Sequence, residues 1–159
     1  MAVHLVRHGS AGTRRSDDPA DTARHLDPRG RSQAEALADL LEARPVVWVA
    51  SSPADRCVET VAPLAARLGQ PVAVVADLLE GADVDDAWDV LAEAASLDGD
   101  AVLCSHGDVI PDLIRRLQLR GMEVPGKAGC SKGSCWTLTG WDGERFARGD
   151  YTSVTSTAT

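Results

Sequence analysis

Apolar and polar positions along the 159-residue chain alternate in blocks of two kinds. Short runs that are apolar on both faces, AVHLV (2–6), VVWVA (46–50), PVAVV (71–75) and DAVLCS (100–105), predict buried strands of a parallel sheet covered by helices. Longer amphipathic segments lie between them. LDPRGRSQAEALADLLEA puts Ala34, Leu37, Ala38 and Leu41 on one stripe, with Asp27 expected as N-cap and Pro28 at the first helical position. SPADRCVETVAPLAARLG puts Cys57, Val61, Leu64, Ala65 and Leu68 on one face, with Ser52 as cap, Gly69 as stop and a kink at Pro63. DVDDAWDVLAEAASL and DVIPDLIRRLQLRG predict two further helices. After them the texture changes, and SCWTLTGWDGERFARG reads as two strands joined at Asp142-Gly143.

Strand–helix alternation of this kind implies a three-layer α/β/α sandwich with a mainly parallel central sheet. The expected organisation is one domain over 1–151 and a loose tail over 152–159. At this length a hydrophobic core forms without disulfide or metal staples. Aromatic residues make up only 4% of the chain, so Ala, Val and Leu must supply the packing.

A net charge of −8 argues against an extended basic face for nucleic-acid polymers, though not against a small basic pocket. The four cysteines, Cys57, Cys104, Cys130 and Cys135, show no C-x-x-C spacing. Neither a metal site nor a redox dithiol is expected, and Cys104 reads as core filler. There is no basic-then-apolar leader and no apolar stretch of about 18 residues, so a cytoplasmic protein without membrane contact is expected.

The ends of the strands change the picture. In open α/β sheets ligands bind at the carboxyl ends of the strands. Here the first strand ends in Arg7-His8-Gly9 and the fourth in Ser105-His106-Gly107, and the second runs through Ser-Ser-Pro to Arg56. Parallel strands bring two arginines and two histidines to one edge. Such a cluster is costly unless it binds an anion, and guanidinium forks match phosphate oxygens. Histidine can attack phosphorus and hold the phosphoryl group covalently. His8, fixed between Arg7 and Gly9, is the better placed, with His106 expected to bond the transferring oxygens. His4 reads as packed scaffold within the strand, and His25 as part of an exposed polar loop.

LVRHGSAG, LDPRGRSQAEALA, SSPADRCVETVAPLAARL, LLEG and VLCSHGDVI together resemble the histidine phosphatase superfamily, over most of the chain. The resemblance implies the phosphoglycerate mutase-like fold and metal-independent hydrolysis through a phosphohistidine intermediate on His8. Arg7, Arg56 and His106 would complete the phosphate pocket and Glu80 would donate the proton; read from the residues alone, Glu80 follows the third strand and could reach the same edge, with a solvated loop carboxylate as the alternative. Asp108 is a second candidate acid, or a cap of the helix that follows. Ser10, Thr13 and Arg14 either contact phosphate or belong to a solvated loop, and Lys132 is a further candidate for the pocket by the same likeness. No metal or other cofactor is expected.

The short chain is more similar to the small SixA-like phosphohistidine phosphatases than to phosphoglycerate mutases. HGDVIPDLI and KGSCWTL also resemble the histidine phosphatase domains appended to MutT-type Nudix hydrolases. The expected function is therefore that of a SixA-like protein phosphohistidine phosphatase, with a small nucleotide or sugar phosphomonoesterase as the alternative, and the expected partner is the phosphorylated substrate of either. A mutase would need a water-excluding lid, for which the chain offers little material. A non-catalytic phosphate-binding module would be expected to lack one of the two histidines, yet both are present.

Overall fold

The computed structural model describes residues 1–13 and 20–154. Six strands form one sheet: β1 (Ala2–Arg7), β2 (Val46–Ser51), β3 (Ala73–Val74), β4 (Asp100–Ser105), β5 (Cys135–Thr139) and β6 (Arg148–Thr152). Their order across the sheet is β3-β2-β4-β1-β5-β6. The β3-β2-β4-β1 part is parallel, and β5 and β6 add an antiparallel edge. The sheet is thus mixed and mostly parallel, as the alternation of strands and helices requires.

Four helices cover it: α1 (Pro28–Leu41), α2 (Asp55–Leu68), α3 (Val84–Ala95) and α4 (Val109–Leu119). Each apolar stripe faces the sheet. One core packs α1 and α2 residues such as Leu37, Leu41, Val61 and Leu64 on Val6, Val49 and Cys104. The other packs Leu91, Ile110 and Leu113 from α3 and α4 on Leu5, Leu103 and Trp136. Asp27 caps α1 by accepting from the Gly30 N–H at 2.8 Å, and Gly69 ends α2 in the left-handed region at φ 66°.

Three local expectations shift. α2 begins at Asp55, and Ser52 is not its N-cap. Pro63 lies inside this helix, where the sequence places it. β3 shrinks to two residues paired with Ala50 and Ser51, because the rest of PVAVV lies at the sheet edge, where fewer partners fix an extended chain. At the opposite edge β6 begins at Arg148, so the antiparallel pair is joined by a longer connection that includes Asp142-Gly143. Thr152 is the last residue of β6, and 155–159 lie outside the described residues.

Candidate active site

The register of two strands builds the site. β1 and β4 are parallel neighbours with Arg7 opposite Ser105, so the residues that follow, His8 and His106, leave the sheet side by side. Their ring centroids are 5.4 Å apart. β2 flanks β4 on its other side and delivers Ser52 and then Arg56, the second residue of α2. His8, Arg56 and His106 are 5%, 2% and 1% exposed.

The backbone around His8 is fixed from three directions. The His8 N–H donates to the Ser105 carbonyl at 3.2 Å, and the Gly133 N–H donates to the carbonyls of Arg7 and His8. Thr60 on α2 accepts from the Gly9 N–H at 2.9 Å and donates to the Arg56 carbonyl at 2.6 Å, so one hydroxyl ties the histidine turn to the arginine helix. Gly9 faces Gly30, and a Cβ on Gly9 would approach the Gly30 backbone to 3.0 Å. Close packing between the turn and α1 therefore requires glycine there.

A hydrogen bond sets the tautomer of His8. His8 Nδ1 lies 2.8 Å from the Gly9 carbonyl oxygen, which can only accept, so Nδ1 carries the proton and Nε2 keeps its lone pair. Burial pushes the His8 pKa down to about 3, opposed by the Gly9 carbonyl and helped by charge on His106, Arg56 and Arg7. The ring is a neutral base whose Nε2 has no hydrogen-bond partner among the described residues. Arg56 Nη2 lies 3.4 Å from His106 Nδ1, and His106 Nε2 and Ser52 Oγ are 2.8 Å apart, so the second histidine is held between the arginine and the serine. The Ser52 hydroxyl also accepts from the Ala54 N–H at 3.3 Å, so it holds the second histidine as well as the turn into α2.

The two arginines enclose a cavity of about 280 Å³. Arg7 is held by the Cys130 carbonyl at 2.7 Å and stacks so close to Gly107 that a Cβ there would lie 2.7 Å from Cζ. Arg56 donates to the Asp21 carbonyl at 3.0 Å and lies 3.7 Å from the Glu80 carboxylate. The Nε atoms of both guanidiniums are buried and have no hydrogen-bond partner among the described residues. Buried charged donors left unused are expensive, and an anion in the cavity would satisfy such a cluster.

Glu80 and Lys132 line this cavity, together with Asp108. Both Asp108 oxygens are already engaged: Oδ1 accepts from its neighbour Val109 N–H and Oδ2 from the Gly81 N–H at 2.7 Å. Asp108 thus caps α4 and ties down the residue beside Glu80. Ser10 stands apart, its hydroxyl donating to Asp27 at 2.6 Å. Thr13 is exposed and does not line the cavity, and Arg14 lies outside the described residues.

Two features of the site, one lining the cavity and one behind it, escaped sequence reasoning. Arg24 borders the cavity from the polar loop before α1, held by Asp21 Oδ1 at 3.1 Å and the Ala11 carbonyl at 2.9 Å. No periodicity marks a residue in such a loop. Thr60 stands four residues after Arg56, and that spacing on a helix was the available signal. The remaining histidines are structural in their contacts. His4 bonds Asp100 at 2.9 Å and Thr137 at 3.0 Å within the sheet, and His25 is exposed and paired with Glu59.

Comparison with known proteins shows the relatives of this chain and of its fold. A protein of Mycolicibacterium smegmatis named 8-oxo-(d)GTP phosphatase is 38% identical over 154 residues, covering 95% of this chain and 48% of that protein. The chain spans about half the length of the curated relatives it matches. Among solved structures, the protein histidine phosphatase SixA complexed with tungstate superposes with a TM-score of 0.74 at 21% identity, over 98% of this chain and 97% of that one. A mycobacterial glucosyl-3-phosphoglycerate phosphatase superposes with a TM-score of 0.71 at 20% identity, over 99% of each chain. At those identities the two structures establish the fold. The model of the histidine phosphatase superfamily (branch 1) matches residues 3–83, the half of the chain that contains Arg7-His8-Gly9, Arg56 and Glu80, and the chain belongs to that superfamily.

Proposed function

We propose that this chain is a phosphatase that hydrolyses phosphate monoesters through a phosphoryl group held transiently on His8 Nε2. The observation that carries this is the pairing of a neutral imidazole, whose Nδ1 is committed to the Gly9 carbonyl, with two guanidiniums whose buried Nε atoms have no hydrogen-bond partner among the described residues. In the first step the phosphoryl oxygens dock on Arg7, Arg56 and His106. The Nε2 lone pair forms the P–N bond as the P–O bond to the leaving group breaks, and Glu80 gives that oxygen its proton. In the second step water attacks phosphorus, Glu80 takes the water proton, the P–N bond breaks and orthophosphate leaves. Fixed positive charge supplies the electrostatic stabilisation.

Glu80 favours a small phosphate ester over a phosphohistidine protein. A protonated imidazole leaves without help, whereas an alkoxide or sugar oxygen needs the donor that Glu80 can supply beside Arg56. The relative named 8-oxo-(d)GTP phosphatase supports a nucleotide among such esters. The SixA-like reading, a protein phosphohistidine phosphatase, remains the second one, supported by likeness of fold.

The experiment is to assay the wild type and His8→Ala on a panel of phosphate monoesters and on phosphorylated histidine, with and without chelator. Release of orthophosphate by the wild type alone supports the reading. Equal turnover by His8→Ala overturns it, and faster hydrolysis of phosphohistidine than of any ester moves the assignment to the second reading.

A further inference from the structure

Beside the phosphoryl cavity lies a second hollow of about 330 Å³, and Lys132 is a wall of both. Its other polar walls include Arg29 and Gln33 from α1 and Ser131 from the loop that precedes β5. The hollow is lined by groups that donate. Gln33 is 97% buried by its side of the α1 packing, being only 3% exposed, and its Oε1 accepts from the Ser10 N–H at 2.8 Å. That bond fixes the amide orientation and leaves the Nε2 hydrogens without a partner among the described residues. A Cβ on Gly133 would press on the Gln33 side chain at 3.0 Å, so the loop bearing Ser131 and Lys132 is fitted against it. Tyr151 positions Ser131, accepting from its N–H at 2.9 Å and sharing a hydrogen bond with its hydroxyl at 2.8 Å.

The charges point the same way. Acidic residues outnumber basic ones 24 to 16, and Arg24, Arg44, Arg67, Arg116 and Arg148 each pair with a carboxylate. Arg29 and Lys132 pair with none among the described residues. Asp27, the carboxylate nearest in sequence to Arg29, is occupied by Ser10, Gly12 and Gly30. Arg29, Ser131 and Lys132 are exposed, so this hollow is open; two cations without a carboxylate partner among the described residues and the Gln33 amide N–H₂ give it the positive, donor-rich lining that attracts an anion.

We infer that this hollow holds a second phosphate group of the substrate, with Lys132 placed between the phosphate that is cleaved and the one that is kept. The substrate class is an organic phosphate with two phosphate groups. This rests on the phosphatase reading of the His8 cavity. Arg29, Gln33 and Ser131 make no contact with the reacting phosphate in this arrangement and select for substrates that extend beyond it.

The test uses one nucleoside in three forms: the monophosphate, the diphosphate, and a bisphosphate with the groups on separate hydroxyls. Binding of each to His8→Ala is measured by calorimetry, and turnover by the wild type is measured separately. At least tenfold tighter binding of one two-phosphate form over the monophosphate is expected, and Arg29→Gln should reduce that ratio toward one. Which form gains tells adjacent from separated phosphates. Equal binding of all three to His8→Ala, or a preference untouched by both Arg29→Gln and Gln33→Leu, overturns the inference. Absence of turnover of all three forms by the wild type, with the binding preference intact, counts against the phosphatase reading and leaves the second anion site standing.

Discussion

The imidazoles of His8 and His106 stand 5.4 Å apart, centroid to centroid, because Arg7 and Ser105 are register partners in adjacent parallel strands. The pair is set by backbone hydrogen bonding before any side-chain contact is made, on rigid elements that hold a reacting group more tightly than a loop would.

Thr60 is expected to matter out of proportion to its distance from the chemistry. Its hydroxyl accepts from Gly9 and donates to the Arg56 carbonyl. Thr60→Val keeps the shape and strands the buried Gly9 N–H, at about 1–3 kcal/mol. The expected result is a lower melting temperature and a fall in kcat of about tenfold, with Thr60→Ser recovering most of both. Full activity in Thr60→Val would contradict this role.

Gly107→Ala should weaken anion binding. The new methyl would sit 2.7 Å from Arg7 Cζ, so the guanidinium must move. Orthophosphate affinity, measured by calorimetry, is expected to drop about tenfold or more with the fold intact by circular dichroism. Unchanged affinity would show that Arg7 does not grip the phosphate where it now stands.

Acid should destabilise the protein through its buried histidines. Burial first, then His106, Arg56 and Arg7, bring His8 from the ordinary 6.5 down to about 3, and burial lowers His4 as well. Below about pH 6.5 the unfolded chain binds protons that the folded chain refuses until about pH 3, so stability is whole above that window and falls through it. Melting temperature should decline from about pH 7 to pH 5, with a shallower decline for His8→Asn. In nitrogen NMR the His8 ring should stay neutral at about pH 5; a ring titrating near its ordinary value would refute this.

Glu80→Gln separates the two substrate readings. If Glu80 protonates the leaving oxygen, the loss in kcat/KM should be about a hundredfold for a sugar or alkyl phosphate and small for 4-nitrophenyl phosphate, whose leaving group needs no proton. A uniform loss across leaving groups would place Glu80 in binding alone.

Much of the site was legible because its signals are local. A strand that leaves the core on Arg-His-Gly, and another on Ser-His-Gly, is readable wherever the sheet is parallel, and a helix opening one residue before Arg56 needs only its neighbours. The positions of Arg24 and Lys132 at the cavity depend on how two loops fold back, which no period encodes. The shortening of β3 and the transfer of Ser52 from a helix cap to a partner of His106 have one origin. In each, a tertiary contact, or the lack of one, outweighed a local preference.

The most direct measurement is to quench the wild type during turnover, digest it under alkaline conditions that preserve phosphoramidates, and locate the phosphoryl group by mass spectrometry. The account predicts a modification on His8 alone, lost in acid and absent from His8→Ala. Steady turnover with no phosphorylated protein, or with the phosphoryl group on any other residue, would contradict it.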